Sequence, residues 1–485
     1  MGKRATRGML WSSLTALVCR GLGFGNTIVL THLMGKREYG RANAAYTLAM
    51  SVYQFSNPGF IGELIRRRER FEEAASLGTA IASAIVLLLS AVALVFAGPI
   101  TSAFNAGGTE TYLRLAVAIG LAGNVLMMGD VLLCRELRFG AQSLIELVGT
   151  LCLVGSAVGL AATGWGGIAL IIGQVARELV VRVGGTALTG FSWLRRPRWD
   201  PALLKQMLSY GIPLYVAGIL NQIATTWDNL FVGKMLGMEM LGAYAAAYSL
   251  TYVPVYTISE RITTVFYSVV VQFIDDRERR WKAVLRSLGA VLIFMAPVVV
   301  LTMLDGPRVV ALLFSAKWQS TVAPLVTCLS LVGAGLPLQL MPDYYFGALG
   351  VNRAVIGIMV VKVVLLFSGL FLFGRTDIQA AAWSVSGSFM ITGLLAFSML
   401  HFLDHIPLAS LLRVLLPAAV GGLLMAFSIV GLRRVLPLTS NLLMLIVEMA
   451  VGCIVYVAYQ LVFHRERIMD ILGAFLGRRR AGGEG

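Results

Sequence analysis

LGTAIASAIVLLLSAVALVFAGPI, Leu77 to Ile100, runs for 24 residues without a charge. About 20 apolar residues cross the roughly 30 Å hydrocarbon core of a bilayer as a helix, so this stretch reads as a membrane span. The whole chain agrees with that reading. Of its 485 residues, 58% are hydrophobic and only 13% are charged, far more apolar surface than a soluble fold hides. The expectation is an all-α polytopic membrane protein. Apolar runs predict about fourteen transmembrane helices, near residues 9–34, 42–65, 77–100, 112–133, 143–163, 166–190, 206–234, 243–271, 283–304, 322–348, 354–374, 378–402, 411–432 and 438–463. The N-terminus MGKRATRGMLWSS leads into an apolar run that continues to Met34, unlike the short core of a cleaved signal peptide.

Lysine and arginine set the orientation. With the N-terminus inside, the cytoplasmic connections carry Lys3, Arg4 and Arg7, then Arg66 to Arg68 with Arg70, then Arg135 and Arg138. Arg195, Arg196, Arg198 and Lys205 follow, then Arg277, Arg279, Arg280 and Lys282. The other side holds mainly Lys36, Arg37, Arg41, Arg308, Lys317, Arg433 and Arg434. Both termini are thus expected in the cytoplasm. The net charge of +15 is explained by this bias and calls for no nucleic-acid partner. The tail HRERIMDILGAFLGRRR reads either as an amphipathic helix on an anionic leaflet or as a frayed basic end.

Every connection is short, the longest lying near Phe191 to Lys205. That leaves no room for the extramembrane domain of a glycosyltransferase, polymerase or ligase. The chain has no phosphate-binding glycine loop, no nucleophile-elbow motif and no triad spacing. Its five cysteines (Cys19, Cys134, Cys152, Cys328, Cys453) sit in or beside apolar runs, with no C-x-x-C pair, and read as small buried hydrophobes. The four histidines are scattered. These features predict a transporter rather than an enzyme, with no catalytic residue, metal or cofactor.

GKREYGRANAAY (Gly35–Tyr46) returns 202 residues later as GMEMLGAYAAAY (Gly237–Tyr248), sharing two Gly, two Ala and a Tyr at equal offsets. The likeness extends to Leu33-Met34 against Met235-Leu236 and to Thr47-Leu48 against Ser249-Leu250. A second pair, GPITSAFNAGGTETYLRLAVAIG from Gly98 and GPRVVALLFSAKWQSTVAPLVTCLS from Gly306, repeats at an offset of 208. Each pair is separated by six spans, an even number, so the repeat is parallel, with a pseudo-two-fold along the membrane normal. This predicts two pseudo-symmetric six-helix lobes: residues 1–200 (spans 1–6) and 201–402 (spans 7–12). Residues 403–463 add spans 13 and 14, and 464–485 form a basic cytoplasmic tail. Two like lobes about a cavity suit alternating access; a doubled scaffold without transport is the plain alternative.

DNLFVGKMLGMEMLGAYAAAYSL, from Asp228, resembles the polysaccharide exporter pattern at Asp228, Gly233, Leu236, Gly237, Gly242 and Tyr244. The first half matches with Arg20, Leu33, Gly35, Tyr39 and Gly40, and SNPGFIGELIRR (Ser56–Arg67) resembles the end of the family's second span. The chain thus resembles a Wzx-like oligosaccharide flippase of the polysaccharide biosynthesis family, within the multidrug/oligosaccharidyl-lipid/polysaccharide exporter superfamily. His32 departs from it, standing where the family often has a small residue or Arg. The resemblance implies a bacterial plasma (inner) membrane protein. Its substrate would be an oligosaccharide on polyprenyl diphosphate, turned to the outer leaflet for exopolysaccharide, O-antigen or capsule biosynthesis. Membrane lipids, the polysaccharide polymerase and the chain-length machinery are the implied partners. The rival readings are a small-molecule exporter of the multidrug type and a lipid-linked peptidoglycan precursor flippase.

Charges inside spans are costly and usually face a protein interior or water. Here they include Arg20, Glu146, Arg177, Glu178, Asp228, Glu260, Arg261, Asp343, Lys362 and Glu448. A diphosphate suits the planar fork of arginine. The resemblance implies a cavity between the first, second, seventh and eighth spans, which makes Arg20, Arg261 and Asp228 the substrate-binding candidates. A gate pair of Arg20 with Asp228, or an internal pair Glu260–Arg261, stands beside that reading. Arg177 with Glu178 fits a structural pair. Lys36, Arg37 and Arg41 are candidates for an outer gate or for solvated loop charges. Asp343 and Glu448, with Asp228, are candidates for coupling to an ion gradient.

Overall fold

The computed structural model describes residues 2–190, 197–436 and 440–465. The expected tail helix after residue 465 lies outside the described residues, and so does the side chain of Arg261. Among the described residues every regular element is a helix. The first half contains α1 (Gly2–Leu33), α2 (Lys36–Phe55), α3 (Phe60–Arg66), α4 (Phe71–Val95), α5 (Ala97–Ala103), α6 (Glu110–Val125), α7 (Met128–Arg135), α8 (Phe139–Ala162) and α9 (Ile168–Thr189). There follow α10 (Pro201–Leu236), α11 (Met238–Gln272), α12 (Arg277–Leu313), α13 (Ala316–Leu329) and α14 (Val332–Ala348). The chain continues with α15 (Asn352–Leu372), α16 (Ile378–Asp404), α17 (Leu408–Val435) and α18 (Asn441–Phe463).

Nine of these are long and apolar enough to cross a membrane: α1 from Leu14, α4, α8, α10, α12, α15, α16, α17 and α18. Two more candidates are bent pairs, α6 with α7 at 43° and α13 with α14 at 41°. The protein therefore has nine to eleven candidate spans among its described residues. The expected segments 42–65, 166–190 and 243–271 coincide largely with α2, α9 and α11, which are helical but fall outside that set. Large apolar side chains such as Leu88, Val95, Leu423 and Phe427 stand exposed on the helix surfaces, as a lipid-facing surface requires.

The chain packs as two compact units. The first comprises the residues up to Ser249 together with Val363–Ala381. In it α8 lies along both α1 and α9, and α2 packs on α6 and α10. Phe60, Leu64, Leu77, Met127, Met128, Leu203 and Met207 form a buried core. Asp200 starts α10: its carboxylate accepts from the Ala202 and Leu203 amides at 3.0 Å each, and Pro201 occupies the first turn. It also pairs with Arg70 at 2.7 Å. The Leu203 amide and the Arg70 guanidinium hold the Asp200 carboxyl below its ordinary value.

The second unit comprises Leu250–Lys362 and the chain from Ala382 onward. Here α12 is the axis, packed by α13, α14, α17 and α18. Ala290, Ile293, Met425, Ile429 and Tyr456 form a buried cluster between α12, α17 and α18. Asp404, at the end of α16, accepts from Trp281 Nε1 at 2.8 Å, from Arg280 at 3.1 Å and from the Tyr345 hydroxyl. That carboxylate fixes the start of α12 to α14 and α16.

Candidate functional site

Four connections of the first unit meet at one end. The α1–α2 turn reaches the α10–α11 turn through Lys36, whose ammonium lies 3.2 Å from Glu239. Arg41 donates to Glu38 at 3.1 Å and to the Gly107 carbonyl at 3.2 Å. Glu38 accepts from the Tyr112 hydroxyl and from the Gly167 amide at 3.4 Å. Asn105 donates to the Lys234 carbonyl at 2.8 Å. Burial pushes the Glu38 carboxyl up, but Tyr112, Gly167 and Arg41 outweigh it, so it sits below its ordinary value. Lys36 and Arg41 are thus bound into a latch, while Arg37 beside them is exposed. Nothing in the sequence marks out Glu38, the centre of the latch, since it is one acid among four charges.

The two echoed turns touch. A Cβ on Gly40 would lie 1.8 Å from the Met238 carbonyl oxygen, and one on Gly242 would lie 1.9 Å from the Lys36 carbonyl oxygen. Gly40 corresponds to Gly242 and Lys36 to Met238 at the offset of 202, so the contact is reciprocal. It has the form of a two-fold interface, in which i meets j as j meets i. Only glycine admits backbones this close.

Asp228 on α10 is buried, and its carboxylate accepts from the Tyr244 hydroxyl at 2.6 Å and from the Asn229 amide at 2.9 Å. Two residues of the motif therefore bind each other across the α10–α11 hairpin. Arg20 sits half-buried on α1 in the first unit, whereas Arg261 falls on α11 in the second. Glu260 accepts from Tyr256 at 3.1 Å.

Arg177 and Glu178 belong to a longer chain of charges. Glu146 meets Arg177 at 2.7 Å, Arg177 meets Glu178 at 3.8 Å, Glu178 meets Arg182 at 2.6 Å, and Arg182 meets Asp130. This chain ties α7, α8 and α9 together and explains why so polar a helix as α9 packs among apolar ones.

In the second unit, Glu448 of α18 is fully buried and lies 2.9 Å from Arg433 of α17. It also meets Arg308 of α12. Asp305, equally buried, takes Arg308 at 2.9 Å and Arg433 at 3.0 Å. Arg308 and Arg433 looked like loop charges in the sequence; they are the partners of Glu448. Asp343 of α14 is buried beside Gln339, whose amide donates to it at 3.2 Å.

The polysaccharide biosynthesis protein family matches residues 29–323, more than half of the chain. The chain belongs to that family. It is 24% identical over 323 residues to the succinoglycan biosynthesis transport protein ExoT of Rhizobium meliloti (strain 1021), covering 65% of this chain and 64% of that one. It is 23% identical over 352 residues to the lipopolysaccharide biosynthesis protein WzxC of Escherichia coli (strain K12), covering 68% and 67%. In structure it is similar to the lipid II flippase MurJ in an inward closed conformation, with a TM-score of 0.77 at 15% identity, covering 95% of this chain and all of that one. The fold is therefore one used by membrane transporters.

Proposed function

We propose that this protein flips a polyprenyl-diphosphate-linked oligosaccharide from the cytoplasmic to the outer leaflet of the bacterial inner membrane. It acts as a transporter, not an enzyme, through fourteen spans with both termini in the cytoplasm. Residues 1–200 and 201–402 rock as two like lobes, and 403–463 are appended to them. The observation that carries this reading is the reciprocal crossing of Gly40 and Gly242. A protein built by doubling has its two copies meeting about a pseudo-two-fold, and such a crossing closes one end of a central path. The latch of Lys36, Arg41 and Glu38 sits beside it and serves as an outer gate.

The substrate's diphosphate calls for cations, which Arg20 and Arg261 supply as bidentate donors. Asp228 holds the α10–α11 hairpin through Tyr244 and so positions the seventh and eighth spans around the path. In liposomes containing a lipid-linked oligosaccharide, R20A and R261A are each expected to reduce flipping at least about tenfold, the loss of one charge-assisted contact of roughly 1.5–3 kcal/mol. Both variants should still insert in the membrane. Wild-type flipping in both would overturn the arginine clamp. Export of cationic drugs without lipid flipping would favour the multidrug reading.

A further inference from the structure

Two neighbouring buried side chains on α14 each carry an acceptor atom without a hydrogen-bond donor: Oδ1 of Asp343 and Oε1 of Gln339. The other atoms of the two groups already meet, since Gln339 Nε2 donates to Asp343 Oδ2 at 3.2 Å. Orphaned buried acceptors are rare and call for a missing partner. A proton on Oδ1 would turn one of these acceptors into a donor, and an O–H directed at Gln339 Oε1 would close acid and amide into a ring of two hydrogen bonds.

The surroundings supply a cation that competes with that proton. Lys362 of α15, itself buried, is within electrostatic reach of Asp343. Its ammonium rests on the Phe389 ring of α16, 3.5 Å from the centroid, a cation–π contact. Of the other charged groups on neighbouring helices, Glu260 of α11 acts on the adjacent Tyr344. Arg280 of α12 and Asp404 of α16 meet Tyr345.

Resting on the transporter reading above, we propose that Asp343 is a proton-carrying site, closed by Gln339 and emptied in favour of Lys362. When the proton leaves to water, the carboxylate draws the ammonium from the ring of Phe389. When a proton returns, the acid–amide ring re-forms and Lys362 goes back. This exchange moves α14 against α15 and links one proton to the transport cycle.

Infrared difference spectra of the purified protein in lipid nanodiscs, recorded across pH, test the site directly. The wild type is expected to show the carbonyl stretch of a protonated carboxyl at neutral pH, and D343N to lose it. Q339L should shift that band to higher wavenumber, because its hydrogen bonds are gone. K362M should keep the band to higher pH, because the competing cation is removed. Identical spectra for wild type and D343N would overturn the site, and an unmoved titration in K362M would overturn the exchange. In proteoliposomes D343N should flip lipid independently of the proton gradient, and gradient-driven flipping equal to wild type would overturn the coupling. An intact Asp343 band in a protein that flips no lipid would contradict the transporter reading while leaving the proton site standing.

Discussion

Replacing Gly242 by alanine is expected to abolish export and to lower the melting temperature of the purified protein. The added Cβ would sit 1.9 Å from the Lys36 carbonyl oxygen. That obstacle is backbone, so no rotamer change relieves it, and the α1–α2 and α10–α11 turns must separate. Over-packing of this kind costs about 1–3 kcal/mol, and more where backbone must move. Gly40→Ala should behave alike, since its Cβ meets the Met238 carbonyl oxygen at 1.8 Å. The double variant should cost less than the sum of the two, because both relieve one contact. Gly155→Ala, where a Cβ meets nothing within 4 Å, is the control and should keep wild-type stability. A Gly242→Ala protein with unchanged melting and export would contradict the close crossing.

Glu448→Ala is expected to have an effect as large by another route. Glu448 is fully buried among Arg433, Arg308 and Asp305. Removing one partner from a buried ion network typically costs about 3–5 kcal/mol, because the charges left behind lose compensation in a poor solvent for them. The α17–α18 hairpin should loosen from α12, and amide exchange along α18 should accelerate. Glu448→Gln keeps the shape and one of the two acceptor oxygens that the arginines use and should cost less than alanine. Unchanged exchange in Glu448→Ala would show that the hairpin is held by the apolar cluster of Ile293, Met425 and Tyr456 alone.

Much of this was legible in the sequence, and the rest hid for stated reasons. Uncharged runs such as Leu77–Ile100 declare a helix because lipid leaves backbone groups no other partner. The repeat of Gly35–Tyr46 at Gly237–Tyr248 was visible as spacing, but the reciprocal contact of its glycines is a tertiary fact. The bends in 112–133 and 322–348 fall at Leu126–Met127 and Ser330–Leu331, with no glycine or proline at the break to announce them. Asp228 and Tyr244 stood out as motif positions, yet a bond over 16 residues becomes visible only once α10 folds back on α11. Glu38 was masked by its basic neighbours. Arg308 and Arg433 lie 125 residues apart in sequence, so nothing local joins them to Glu448.

The central claim is lipid-linked oligosaccharide flipping, and the most direct measurement is made in the organism that carries the gene. After its deletion, the lipid-linked glycans on the cytoplasmic leaflet are identified and counted. The account predicts that one polyprenyl-diphosphate oligosaccharide accumulates there while its polymer disappears from the surface, and that the wild-type gene reverses both. An unchanged pool of lipid-linked glycan, with polymer still reaching the surface, would contradict it.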